Sequence, residues 1–182
     1  MLNKVPEVTA VFWILKVLAT TVTETSADFL DIKPNLGITI TSVVMAIGLA
    51  IVLVAQLRSQ RYIPAVYWAV VVLISVVGTL ITDHLTDHLT DNFGVPLWLT
   101  APLFAIAPAI TFVAWFASEK TLSIHSIITS RREFFYWLAG LFTFAPGTAA
   151  GDLLAESLNL GYLLSLVVSA VALWIAHILP TA

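Results

Sequence analysis

The sequence predicts an all-α integral membrane protein, a bundle of six transmembrane helices arranged as three parallel-oriented helix hairpins. Three observations lead there. Hydrophobic residues fill 59% of the 182 positions and charged residues 10%, with a mean hydropathy of +0.98. Lys and Arg cluster in alternate connections between the apolar runs. A tryptophan and an aspartate recur three times at one fixed spacing.

The composition excludes an ordinary soluble domain and names the lipid bilayer as the main partner, because several apolar runs approach the roughly 20 residues that span it. The chain has no cysteine, which removes disulfides and thiolate metal sites. A net charge of −3 argues against nucleic acid as a partner. Lys4 and Glu7 lead into a span that carries polar residues, so no cleavable signal peptide is expected.

The spans fall at about 8–29, 37–57, 63–82, 95–117, 134–154 and 160–179. Turn residues separate them: Lys33-Pro34-Asn35-Leu36-Gly37, then Asn92-Phe93-Gly94-Val95-Pro96, then Asn159 and Gly161. The longest polar connection runs from Ser118 to Glu133, with an interfacial turn expected over 123–128. Pro102 and Pro108 are placed to bend the fourth span, and Pro146-Gly147 to kink the fifth.

Lys4, then Arg58 and Arg61, then Lys120, Arg131 and Arg132 flank the N-terminus and the second and fourth connections. Only Lys33 lies in the other three, so the positive-inside rule puts both termini in the cytoplasm. The acids lean the other way. Glu24, Asp28, Asp31, Asp83, Asp87, Asp91, Asp152 and Glu156 gather toward the outer side, against Glu7, Glu119 and Glu133 near the inner one.

An internal repeat accounts for that lean. Trp13 and Asp28, Trp68 and Asp83, and Trp137 and Asp152 all stand fifteen residues apart. The single membrane domain, 1–182, therefore divides into repeats of about 6–60, 62–119 and 132–179. Each repeat holds two spans, so all three enter the membrane in the same direction. Fifteen helical residues rise about 22 Å and turn Trp and Asp some 60° apart, which keeps both on one broad face. With the indoles as anchors at the inner boundary, the aspartates reach one depth near the outer boundary. The expected result is a ring of acids.

Three stripes feed that ring: Thr20, Glu24 and Asp28; Thr79, Asp83 and Asp87; Thr148, Asp152 and Glu156. Carboxylates at membrane depth are costly unless protonated or bound to a cation. Glu24, Asp28, Asp83, Asp87, Asp152 and Glu156 are accordingly the candidate metal ligands. Hard oxygen donors suit a divalent cation such as Mg²⁺, Mn²⁺ or Ca²⁺, and carboxylates also relay protons. His84 and His88 have the four-residue spacing of helical zinc sites without the HExxH context, so they rank lower. Lys16, too far below Glu24 to pair with it, is expected to extend toward the inner boundary. Gly48, Gly78, Gly140 and Ala149 suit close helix packing.

On the Trp-to-Asp pattern, and on 3–28, 77–99 and 121–156, the chain resembles a bacterial multi-pass membrane family built of tandem two-span repeats of unknown function. Its members usually carry four repeats with a characteristic tryptophan. The resemblance implies a bacterial cytoplasmic membrane location and supplies no catalytic residues. Here Trp174-Ile175-Ala176-His177 looks like the opening of a fourth unit, and Ala182 follows before any matching acid. A homo-oligomer that shields the acidic faces is the expectation. No nucleophile arrangement, phosphate loop or cofactor motif is present, so the reading is not an enzyme. Passage or binding of a cation comes first. A non-transporting membrane scaffold or regulator, whose acids only specify helix packing, is the alternative.

Overall fold

The computed structural model describes residues 4–32, 37–124 and 127–178, and gives the backbone alone for 22, 24–32, 37–39, 87, 90, 91, 97, 101, 152, 156, 157, 162 and 172–178. Among the described residues the chain is all helix, with no strand. The order is α1 (Ala10–Ile32), α2 (Gly37–Arg58), α3 (Pro64–Asp87), α4 (Leu97–Phe104), α5 (Ile106–Glu119), α6 (Ser130–Asp152) and α7 (Gly161–Ile178). Among the described residues, four stretches are long and apolar enough to cross a membrane: Ile40–Arg58, Pro64–Thr86, Trp98–Glu119 and Ser130–Ala155.

Local chemistry sets the helix ends. The Thr9 hydroxyl accepts the Phe12 amide and starts α1, and the Thr129 hydroxyl accepts the Arg132 amide and starts α6. Pro64 opens α3, where its missing N–H costs nothing. Lys120 closes α5 in the left-handed region, at φ 57°. Gly94, Asn159 and Gly161 also have positive φ, at the turn positions their residue types indicated.

The prolines behave unequally. Pro102 and Pro108 straddle Ala105, where the fourth apolar run divides into α4 and α5. Helix α6 instead runs unbroken through Pro146, and its geometry changes only beyond Asp152, in a π-helical turn over Leu153–Ser157. A matching π-helical turn, His88–Asn92, follows α3. Both turns sit at the acid-bearing end of the first helix of a repeat.

The core forms around α3. Of its most apolar window 61% is buried, against 17% for that of α2. Helix α3 packs against α1, α2 and α6, and α6 in turn packs against α4 and α5. Tyr67, Val70, Val71, Ile74 and Val77 of α3 meet Leu49, Trp115, Trp137 and Ala139. Gly78 permits the close approach of α6: a Cβ there would lie 2.6 Å from the Phe144 Cβ. The apolar faces of α1, α2, α5 and α7 point outward, the arrangement expected where lipid is the solvent.

The three repeat tryptophans are equivalent in sequence and unequal in packing. Trp13 is 46% exposed and suits an interfacial anchor, whereas Trp137 is 4% exposed. Trp137 is a core residue, with ring centroids 5.2 Å from Tyr67 and 4.9 Å from Tyr136. Its face of α6 packs against α3, so the same register that exposes the first indole buries the third. The Tyr67 and Tyr136 hydroxyls hydrogen-bond at 2.6 Å and tie α3 to α6.

Candidate functional site

A cavity of about 780 Å³ is walled by the first helices of all three repeats, α1, α3 and α6, together with α7. Thr20 of α1, Thr79 of α3 and Thr148 of α6 line it, each four residues before one of Glu24, Asp83 and Asp152. The three polar stripes therefore reach one space at their threonine level. Gly140, Gly147 and Gly151 of α6 give the cavity its width, since no atom lies within 4 Å of where their Cβ atoms would be. For Gly140 this replaces the close-packing role that its size suggested.

Asp83 lines the cavity and is half-buried, with interactions of its own. Glu24, Asp28, Asp87, Asp152 and Glu156 sit on described backbone, and their side chains lie outside the described ones. So does the side chain of Asp91 in the first π-helical turn. His84 and His88 are exposed and line no part of the cavity. His88 stacks on Phe93 at 5.6 Å and its Nδ1 lies 2.9 Å from the Asn92 amide nitrogen. Among the described residues, no three His, Asp or Glu side chains converge as a metal site.

The hydroxyls reveal which groups are satisfied. Ser75 donates to the Val71 carbonyl at 3.1 Å and Thr82 to the Gly78 carbonyl at 2.8 Å. Neither of these lines the cavity; Thr20 and Ser165, which do, likewise donate to carbonyls of their own helices. Such back-bonding spends the proton and leaves oxygen lone pairs to offer. Thr79 is the exception. It is 5% exposed, lines the cavity one turn before Asp83, and its hydroxyl has no hydrogen-bond partner. A buried hydroxyl without a partner costs about 1–3 kcal/mol.

Lys16 departs from the expectation of a side chain extended to the inner boundary. Its Nζ stays inside the bundle, 5.4 Å from the Phe144 ring centroid, and it lines the cavity. Lys16, Gly140 and Thr143 also line a second, smaller cavity of about 190 Å³, so Lys16 stands where the two meet.

At the end of the bundle where α6 begins lies a polar network that spacing did not disclose. Glu133 is 1% exposed; its carboxylate accepts Lys4 Nζ at 2.7 Å and Gln56 Nε2 at 3.0 Å. Lys4 Nζ also donates to the Leu57 carbonyl at 3.3 Å, and the Lys4 amide to that of Ile127 at 3.3 Å. Arg132 Nε pairs with Glu119 at 2.9 Å. Glu133 and Glu119 are thus explained as partners of Lys4 and Arg132. The first hint in the sequence is that Glu119 and Glu133 break the outward lean of the carboxylates.

A family model described as a repeat of unknown function (DUF347) matches the chain three times, over residues 11–62, 66–121 and 135–180. Each match begins two residues before one of Trp13, Trp68 and Trp137, the residues on which the resemblance rested. No curated protein and no solved structure is detectably similar to the chain.

Proposed function

Because the chain belongs to this family of tandem repeats of unknown function, we propose that it is a six-span protein of the bacterial cytoplasmic membrane that binds and passes a cation. Both termini are cytoplasmic in this reading, as the Lys and Arg distribution favours. The observation that carries it is the cavity, which polar stripes from all three repeats reach and which Asp83 lines. Lone pairs from back-bonded hydroxyls and a carboxylate are hard oxygen donors, which favour Mg²⁺, Mn²⁺ or Ca²⁺. A space of about 780 Å³ admits such an ion with part of its water shell.

The alternative is a scaffold or regulator that transports nothing. Its support is that Ser75 and Thr82 are satisfied within their own helix and need no ligand. Flux separates the two. Purified protein in liposomes should carry one of these cations, and that cation should raise the melting temperature of wild type. Mass action sets the scale at about 2.7 kcal/mol for a hundredfold excess over the dissociation constant. Asp83→Asn should abolish both flux and stabilisation, and Asp28→Asn and Asp152→Asn should weaken them. Equal cation responses in all four proteins would leave the scaffold reading in possession.

A further inference from the structure

Two ion pairs leave an imbalance of charge at the end of the bundle where α2 and α5 finish and α3 and α6 begin. Lys4 is taken by Glu133 and Arg132 by Glu119. Arg58, Arg61, Lys120 and Arg131 remain there, all exposed, and among the described residues no carboxylate pairs with any of them. Glu7 is the acid left over at that end.

An apolar cleft runs up to these arginines. Helices α2 and α6 each pack along α3. Between them lies a space of about 60 Å³, floored by Ile74 and walled by Leu49, Leu53 and Leu57 of α2 and Phe134 and Leu138 of α6. From Leu49 to Leu57 the wall extends about 12 Å along the helix axis. Its mouth is held in place. Gln56 of α2 donates to Glu133 of α6 at 3.0 Å, and Lys4 Nζ bridges Glu133 and the Leu57 carbonyl. Arg58 follows Leu57 directly, and Arg131 lies one turn before Phe134, so each wall ends in a guanidinium. Phe134 is 51% exposed and Leu53, Leu57 and Leu138 are half-buried, which leaves the cleft open to the surroundings of the bundle.

We propose that this cleft binds one anionic phospholipid, with an acyl chain between α2 and α6 and the phosphate met by Arg58 and Arg131, Arg61 adding to the positive field. The wall side chains are hydrocarbon and select hydrocarbon. A helix is about 10–12 Å across with its side chains, so a span of a second copy does not enter a space of this volume, whereas part of an acyl chain does. Guanidinium groups match phosphate oxygens in a two-point fork. A zwitterionic lipid carries its own ammonium and gains less from arginines that lack a carboxylate. The inference takes from the proposed function only the membrane location and none of its cation chemistry. In the proposed topology this end faces the cytoplasmic leaflet, where anionic lipids attract Lys and Arg.

The test uses the full chain, purified in a neutral detergent free of divalent cations. Phosphatidylglycerol, phosphatidylcholine and free glycerol 3-phosphate are titrated while melting temperature and lipid adducts in native mass spectrometry are followed. Phosphatidylglycerol should give a saturable rise in melting temperature and a one-lipid adduct, with a much weaker response to phosphatidylcholine and none to glycerol 3-phosphate. Arg58→Gln and Arg131→Gln should each weaken the midpoint about fivefold. Leu53→Phe keeps every charge, adds bulk in the cleft and should weaken it as well. Lys120 closes α5 and lines no part of the cleft, so Lys120→Gln should leave the midpoint unchanged. Equal responses to the two lipids, a loss in Lys120→Gln as large as in Arg58→Gln, or an unchanged midpoint in both arginine variants or in Leu53→Phe would each overturn the proposal. A full response to glycerol 3-phosphate would do so too, by making the site one for free phosphate. None of these outcomes bears on cation flux, so the cation reading stands or falls separately.

Discussion

Replacing Glu133 by Gln should destabilise the fold by about 3–5 kcal/mol, although the two side chains are nearly the same shape. Glu133 is 1% exposed, and its carboxylate accepts from Lys4 at 2.7 Å and from Gln56 at 3.0 Å. The amide keeps a hydrogen-bonding oxygen but removes the charge that the Lys4 ammonium was desolvated to meet. That ammonium, with its side chain 7% exposed, is then left with neutral acceptors such as the Leu57 carbonyl at 3.3 Å. Lys4→Met produces the mirror situation, a buried carboxylate with only the Gln56 amide. Carrying both substitutions removes both charges, so the loss should fall to the hydrogen bonds alone, about 1–2 kcal/mol. The coupling between the sites should therefore exceed about 2 kcal/mol. Equilibrium unfolding in mixed micelles, followed by tryptophan emission, measures all four corners of the cycle. Losses that add, with coupling under about 0.5 kcal/mol, would refute the argument that the pair acts as a unit.

Three further outcomes are expected. Gly78→Ala should lower stability by about 1–3 kcal/mol, because its Cβ would lie 2.6 Å from the Phe144 Cβ, whereas Gly140→Ala, with no atom within 4 Å, should change the same unfolding midpoint little. Reporter fusions after Ser59, Asn92 and Ser130 should read inside, outside and inside, and a reversed set would put the acid stripes on the cytoplasmic side. Native mass spectrometry in nanodiscs should find a homo-oligomer that keeps acidic faces from lipid; monomer alone across concentrations would count against it.

What could be read from the sequence was whatever repeats along one helix or interrupts one. Hydropathy located the helices, and Gly94, Asn159 and Gly161 marked turns that do take positive φ. Thr20, Thr79 and Thr148 reach one cavity because a four-residue stripe keeps one face wherever the helix goes. The acids beyond them were read from the same stripe, and of the six candidate ligands Asp83 is the one whose side chain can be followed into the cavity. Contacts between distant segments had no such signal. Lys4 looked like an orientation marker and Glu133 like a minor exception, and nothing in their spacing joins them. Trp137 carried the same motif as Trp13, yet the neighbours that bury it come from α3, which its own repeat does not contain. Trp115 belongs to no stripe at all, so its burial emerges only once α5 is laid against α6.

The Lys4–Glu133 clasp also sets an order of events. Lys4 and Glu133 are 129 positions apart, so a ribosome adding about 5–20 residues per second makes the second on the order of ten seconds after the first. Throughout that interval the nascent lysine has no carboxylate to meet, and in the proposed topology it counts among the positive charges that orient the first span. Only when the third repeat has been made and packed does the same ammonium leave water. One side chain thus works first as an address label and later as a fastening. A chain cut short before residue 133 would keep the address and lack the fastening.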